Sequence, residues 1–200
     1  MKRIGIYGGS FDPVHNGHLH LAEVAGKRLS LDKVIFVPAH VSPFKQEKSG
    51  TADGMHRLAM LRLALEGRDS LCVSDYELLQ AGVSYTVYTM RHFREQYPSA
   101  QLVLLMGSDM LLSFDRWYCW QELLTLAELG CVARTEQDAE KLSVQAEKFA
   151  PLGRVQVFCE EILPVSSTEI RQKLKKGEDC SCYLPEKVVQ YIVTHHLYKK

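Results

Sequence analysis

Two histidines near the start of the chain follow closely on a pair of glycines. The stretch reads Gly8-Gly9-Ser10-Phe11-Asp12-Pro13-Val14-His15-Asn16-Gly17-His18. Side chains three positions apart meet on one side of a helix, so His15 and His18 are expected to face the same way in an opening helical turn. Glycines let a ligand approach the backbone, and the first turn of a helix offers unpaired N–H groups to anions. Two imidazoles beside such an anion site indicate phosphoryl or nucleotidyl transfer.

This stretch also has simpler interpretations. A Gly-Gly pair after a strand often forms only a turn, and a pair of histidines can be structural or can bind a metal. No third histidine or cysteine stands nearby at ligand spacing, which disfavours zinc. The stretch differs from both the P-loop and the glycine-rich turn of dinucleotide-binding proteins, so neither of those mechanisms applies directly.

A second candidate anion site lies far along the chain, at Ser166-Ser167-Thr168-Glu169-Ile170-Arg171. Ser166 and Glu169 have the spacing of a capping box, which predicts that a helix begins here. Hydroxyls and first-turn N–H groups suit phosphate oxygens, and the Arg171 guanidinium lies one turn further along, within reach of the same oxygens. Taken alone, the hexapeptide is better explained as a plain helix cap followed by a surface arginine.

The pattern of apolar residues predicts the elements that position both stretches. Strand-like apolar runs occupy residues 4–7, 33–37, 71–74, 102–106, 129–133 and 155–158. Helical patterns lie between them at residues 17–29, 54–65, 86–96, 119–126 and 136–149. This alternation is typical of βαβ units and of a parallel sheet with helices on both faces. The sequence therefore predicts an α/β fold with a Rossmann-like doubly wound parallel sheet, whose ligands bind beyond the carboxyl ends of the strands.

Length and composition indicate an ordinary globular protein. We expect residues 1–200 to form a single domain, in which residues 166–200 supply the distal phosphate-binding helix and a small C-terminal helical appendage. The formal net charge is zero, so no overall field favours nucleic acid or an anionic membrane. No apolar run is long enough to cross a bilayer, and no signal peptide stands at the N-terminus. The six cysteines are scattered, which fits a reducing, cytoplasmic location.

The glycine–histidine stretch resembles the G-G-[ST]-F-D-P-x-H-x-G-H signature of the H-x-G-H nucleotidyltransferase superfamily, and the distal hexapeptide resembles its S-[ST]-x-x-[IL]-R motif. The resemblance implies that His15 and His18 are catalytic and donate to phosphates during transfer. It implies ATP binding by a larger set of residues. That set is Gly8, Gly9, Ser10, Phe11, His18, Asp109, Ser166, Ser167 and Arg171.

Three further stretches resemble nicotinate-nucleotide adenylyltransferases within that superfamily. They are Gly82-Val83-Ser84-Tyr85-Thr86, then Gly107-Ser108-Asp109 followed by Trp117, and the tail that runs from Tyr183-Leu184-Pro185 to Leu197-Tyr198. The chemistry suits a pyridine nucleotide, because an indole stacks on a flat ring and hydroxyl or N–H donors suit a ring carboxylate. Tyr85 and Trp117 fit equally as core aromatics when each is taken alone. The set implied to bind nicotinate mononucleotide is Ser10, Lys45, Tyr85, Thr86, Trp117 and Arg134.

Two details of this resemblance affect the acceptor site. Pro38, Pro43 and Lys45 match a family pattern after the second strand, but Phe44 replaces the histidine that often precedes the lysine. The family commonly has Arg-Pro-Gly after the fifth strand, whereas Thr135 and Glu136 follow Arg134 here. The turn after Arg134 is therefore expected to differ from that of the family.

The resemblance implies transfer of AMP from ATP to nicotinate mononucleotide, giving deamido-NAD and pyrophosphate. Mg²⁺ is expected to bind through ATP oxygens and water rather than through a protein cage. Three alternatives stay open. The acceptor could be nicotinamide mononucleotide or phosphopantetheine, or the chain could be a non-catalytic nucleotide sensor. The sequence does not indicate an oligomeric state.

Overall fold

The chain folds around one parallel sheet. The computed structural model describes residues 1–41, 43, 51–161 and 163–199. In these residues the strands are β1 Arg3–Gly9, β2 Lys33–Pro38, β3 Leu71–Val73, β4 Gln101–Gly107, β5 Glu128–Ala133 and β6 Val155–Cys159. The helices are α1 Asn16–Arg28, α2 Gly54–Leu65, α3 Thr86–Gln96, α4 Ser108–Leu112, α5 Trp120–Leu126, α6 Glu136–Phe149, α7 Ser167–Lys175 and α8 Glu186–Thr194. Two short 3₁₀ turns cover Tyr76–Leu79 and Phe114–Arg116.

The strand order β3-β2-β1-β4-β5-β6 and the parallel pairing confirm the predicted doubly wound sheet. Strand β1 pairs with β2 on one side and β4 on the other, so that Ile6 lies opposite both Ile35 and Leu104. The central strands are buried on both faces, which explains why their sequences are continuous apolar runs rather than alternating ones. The chain switches from one side of β1 to the other between β3 and β4, and ligands of doubly wound sheets bind at such a switch, beyond the carboxyl ends of the strands.

Two apolar clusters cover the two faces of the sheet. Helices α1, α2, α7 and α8 contribute Leu19, Met60, Ile170 and Val188 to one cluster. Helices α3, α5 and α6 contribute Phe93, Leu123 and Leu142 to the other. The first cluster lies on the face where α1 carries the two histidines, so the distal helix α7 is on the same side as the glycine–histidine stretch.

The residues after α7 return to the start of α1. The backbone N–H of Asn16 donates to the Tyr183 carbonyl over 2.8 Å, and the Asn16 side chain donates to the Cys182 carbonyl over 3.3 Å. This tail therefore packs against the helix that opens with the two histidines. No helix in the described residues is both long and apolar enough to cross a membrane.

Candidate functional site

The loop between β1 and α1 has a conformation that its residue types explain. A side chain added at Gly8 would meet no atom within 4 Å, whereas one at Gly9 would lie 3.0 Å from the Phe11 ring. Phe11 has a left-handed backbone with φ of 48°, which is costly for a bulky residue, and its ring is almost fully buried. The ring packs edge-on against His18, 5.0 Å between centroids. Burial of Phe11 thus holds the loop in a shape that leaves open space at Gly8.

The two histidines stack on each other at the start of α1, as the spacing predicted. Their ring centroids are 3.6 Å apart with an angle of 22° between the planes. The backbone N–H of His15 donates to Nδ1 of His18 over 3.2 Å. Because Nδ1 accepts this hydrogen bond, we assign the proton of the neutral His18 ring to Nε2. Nε2–H is then the donor that His18 presents to a ligand.

His15 is buried behind its neighbour. It is 5% exposed, and its Nδ1 has no hydrogen-bond partner within the described residues. Burial lowers the pKa of His15 to about 4, so this imidazole is neutral at physiological pH. A side chain at Gly17 would come within 3.1 Å of His15 Nδ1, which explains why glycine separates the two histidines.

The buried state of His15 makes folding stability depend on pH. An unfolded histidine ionises near pH 6.5, so between that value and about 4 the unfolded chain binds more protons than the folded one. The free energy of unfolding therefore falls as pH falls through this window, by about 3 kcal/mol in total. We expect the His15→Asn variant to lose this contribution, as measured by urea unfolding at pH 7 and at pH 4. The carboxylates are the same in the wild type and the variant, so they contribute equally to both pH dependences. An equal change in the free energy of unfolding of the two proteins between pH 7 and pH 4 would contradict the prediction.

The distal helix α7 begins as predicted and lies against the glycine–histidine loop. Ser166 Oγ accepts from the Glu169 N–H over 3.2 Å, and the Glu169 carboxylate accepts from the Ser166 N–H over 3.0 Å. Ser167 Oγ donates to the Pro13 carbonyl over 3.0 Å. The Arg171 guanidinium donates to the backbone carbonyl of Asp12 over 2.6 Å. The structure therefore brings together two motifs that stand more than 150 positions apart.

Three residues that the sequence reasoning assigned no role meet at the same loop. The Asp12 carboxylate is buried and accepts from Tyr198 Oη over 2.6 Å and from the Ala52 N–H over 3.0 Å. Arg57 is 7% exposed and donates over 2.8 Å to the carbonyls of Ser10 and Ala39. Asp12 lies within the glycine–histidine stretch, so the sequence could have identified it as a site residue. Tyr198 ends the tail stretch that resembles the family, whereas nothing local distinguishes Arg57 from a surface residue.

Part of the predicted acceptor site surrounds the carboxyl end of β2. Ser84 Oγ accepts from the His40 N–H over 2.9 Å, and Val83 forms an isolated parallel bridge with Val41. Tyr85 then precedes α3, and Thr86 is its first residue, so the first-turn N–H groups of α3 follow directly. The Tyr85 ring lies 4.9 Å from the Tyr118 ring. Lys45 falls outside the described residues.

The remaining predicted residues follow β4 and β5. Asp109 is in the first turn of α4, and Trp117 packs against Phe114, 5.5 Å between centroids. After β5, Thr135 caps α6 by accepting from the Asp138 N–H over 3.1 Å. The turn after Arg134 is thus built on a threonine cap.

Asp138 links the ends of these two strands. Its carboxylate accepts from Ser108 Oγ over 2.5 Å and from the Arg134 N–H over 3.2 Å. The hydrogen bond from Ser108 holds the pKa of Asp138 below its usual range, so the carboxylate stays ionised at neutral pH. The link fixes the backbone on which Asp109 and Arg134 stand.

Comparison with known proteins gives a consistent result. The family model described as cytidylyltransferase-like matches residues 6–173. A probable nicotinate-nucleotide adenylyltransferase of Clostridium tetani is 38% identical over the whole of both chains, and one of Neisseria meningitidis serogroup B is also 38% identical over the whole of both. A Plasmodium falciparum nicotinic acid mononucleotide adenylyltransferase, solved in complex with NaAD, has a similar fold, with a TM-score of 0.81 at 19% identity over 99% of this chain and 98% of that one.

Proposed function

The chain belongs to the cytidylyltransferase-like family and, within it, to the nicotinate-nucleotide adenylyltransferases, and we propose on that basis how its residues carry out adenylyl transfer. In this reaction a 5′-phosphate oxygen of nicotinate mononucleotide bonds to the α-phosphorus of ATP. The bond from that phosphorus to the β-phosphate oxygen breaks, and deamido-NAD and pyrophosphate are formed. The attacking phosphate is already a nucleophile, so catalysis consists of alignment and of stabilising negative charge.

The contact between the two phosphate-binding motifs is the observation that carries this proposal. The Ser167–Pro13 and Arg171–Asp12 hydrogen bonds join the start of α7 to the loop that precedes His15 and His18. Two helix N-termini, α1 and α7, therefore lie at one place, and each favours negative charge. A triphosphate is the ligand that matches two such sites and a guanidinium.

We propose that the phosphates of ATP bind at the N-termini of α1 and α7. His18 donates from Nε2–H to phosphate oxygens as charge develops during transfer, while neutral His15 stacks behind it and fixes its ring. The open space at Gly8 admits the α-phosphate to the backbone. The full set proposed to bind ATP is Gly8, Gly9, Ser10, Phe11, His18, Asp109, Ser166, Ser167 and Arg171.

The acceptor is proposed to bind between the segments that follow β2, β4 and β5. The α3 N-terminus at Tyr85 and Thr86 offers N–H and hydroxyl donors to the ring carboxylate, and Trp117 offers an indole face for stacking. The full set proposed to bind nicotinate mononucleotide is Ser10, Lys45, Tyr85, Thr86, Trp117 and Arg134.

A divalent cation is proposed to accompany ATP, and Mg²⁺ is the ion that triphosphate oxygens prefer. Within the described residues no group of three histidine, cysteine, aspartate or glutamate side chains is placed to hold a metal. The one buried carboxylate of the loop, Asp12, is occupied by Tyr198 and Ala52. When bound, the cation would neutralise charge on the triphosphate, and ATP oxygens and water would be its ligands.

We further propose that residues 1–200 work as one nucleotidyltransferase domain and that the protein is cytoplasmic. Residues 166–200 then serve as the phosphate-binding helix and the tail that packs beside it.

Pyrophosphate release tests the function directly. The full-length protein is incubated with ATP and Mg²⁺ and with nicotinate mononucleotide, nicotinamide mononucleotide or phosphopantetheine in turn. We expect a strong preference for nicotinate mononucleotide. Preference for either other acceptor would refute the acceptor assignment but leave the ATP site intact, and ATP binding without any turnover would support a nucleotide sensor instead.

A further inference from the structure

A tyrosine on the C-terminal tail contacts the loop between β1 and α1, which is proposed to bind ATP. Tyr198 is 6% exposed, and its hydroxyl donates to Asp12 Oδ1 over 2.6 Å. Burial raises the pKa of Tyr198, so the hydroxyl keeps its proton at any pH at which the protein works. Within the described residues, the Tyr198 hydroxyl reaches the glycine–histidine loop through its hydrogen bond to Asp12.

The two oxygens of the Asp12 carboxylate have different partners. Oδ1 accepts from Tyr198 and from the Ala52 N–H. Oδ2 lies 3.6 Å from Arg171 Nη1, which is an ion pair but too long for a hydrogen bond. The same Nη1 donates instead to the Asp12 backbone carbonyl over 2.6 Å. The Arg171 side chain is 17% exposed, so the guanidinium is held at the edge of the site without being captured by the carboxylate.

A buried carboxylate that loses a donor takes another one, because an unsatisfied buried charge is costly. Among the cations of the described residues, Arg171 forms the ion pair with the Asp12 carboxylate. The Arg57 guanidinium also acts on Asp12 electrostatically, but its N–H groups donate to three backbone carbonyls. We infer that Tyr198 is a positioning residue for ATP binding, which satisfies Asp12 and thereby keeps the Arg171 guanidinium available to the phosphates. This inference rests on the proposed function, in which Arg171 binds ATP.

The Tyr198→Phe variant tests the inference by removing one oxygen atom. We expect the Kd for ATP, measured by calorimetry on the full chain without acceptor, to rise about 5- to 10-fold. The KM for ATP should rise equally, while the KM for nicotinate mononucleotide stays unchanged. The matched control is Tyr191→Phe, which also removes a tyrosine hydroxyl from the C-terminal tail. The Tyr191 hydroxyl is hydrogen-bonded to His56 Nδ1 over 3.0 Å, and its loss should leave the Kd for ATP unchanged.

A double variant distinguishes positioning from general destabilisation. In an Arg171→Ala background, Tyr198→Phe should change the Kd for ATP less than twofold, because the residue through which it acts is gone. An equal loss in both backgrounds, or a Tyr198→Phe protein that binds ATP within twofold of wild type, would overturn the inference. Because ATP binding is measured without acceptor, failure of the proposed transfer reaction would show separately, as wild-type protein that releases no pyrophosphate.

Discussion

Replacing His18 with alanine should lower kcat for pyrophosphate release by about 10²- to 10³-fold, which is the usual effect of removing one donor to a charge that develops in the transition state. The expected loss is in kcat because the Nε2–H of His18 is proposed to interact most strongly as negative charge builds on the transferring phosphate. The KM values should change little. Circular dichroism and thermal unfolding should show a folded protein, since His18 is half-buried rather than part of an apolar cluster.

His20 provides a matched control for this variant. It stands on the same helix α1, and its Nε2 lies 3.0 Å from the Glu161 carbonyl, away from the histidine stack. His20→Ala should retain near wild-type kcat. If His18→Ala also retained it, the catalytic role of His18 would be refuted whatever the result for the control.

Replacing Arg171 with alanine should lower kcat/KM for ATP by about 100-fold, because a charge-assisted hydrogen bond to phosphate contributes about 2 to 3 kcal/mol. Most of this loss should be in KM, since the guanidinium is proposed to bind phosphates before and during transfer alike. Asp12 keeps its bonds to Tyr198 and Ala52 in this variant, so the loop should remain folded. Initial rates at varied ATP and saturating acceptor measure the effect.

Lys173 is the matched control, because it carries the same charge two positions along α7. Its ammonium pairs with Glu178 over 3.3 Å at the protein surface. Lys173→Ala should therefore change kcat/KM for ATP by less than a factor of two. A similar loss in both variants would mean that the overall charge of α7, rather than the Arg171 guanidinium, attracts ATP.

The sequence predicted those parts of the structure that depend on local patterns. Buried parallel strands have short, continuous apolar sequences, and each of the six apolar runs predicted to be strands corresponds to a strand of the sheet. The Ser166–Glu169 capping box also formed as predicted, because all its partners lie within one helical turn. The brief helix α4 was missed, since five residues are too few to show a helical period. Family membership, predicted from the motifs, is confirmed by the comparisons.

Local sequence patterns could not predict the contacts between segments that are distant in the chain. The motifs each indicated a phosphate, but only the fold shows that Ser167 and Arg171 hydrogen-bond to the loop at Pro13 and Asp12. Arg57 is a buried arginine in α2, and its three backbone carbonyl partners come from separate parts of the chain. Such a partner set depends on tertiary packing, so periodicity does not predict it. The roles of the individual site residues stay predictions.

The hydrogen bond from Tyr198 to Asp12 joins positions 186 residues apart in the chain. Contacts of such long range form late in folding, because the entropy of closing the intervening chain must be offset by contacts made earlier. The sheet and its helices can therefore form before the Asp12 carboxylate accepts its hydrogen bond from Tyr198. During refolding, recovery of full nucleotide affinity is therefore expected to lag behind recovery of secondary structure, because the tail contact proposed to position Arg171 forms after the sheet.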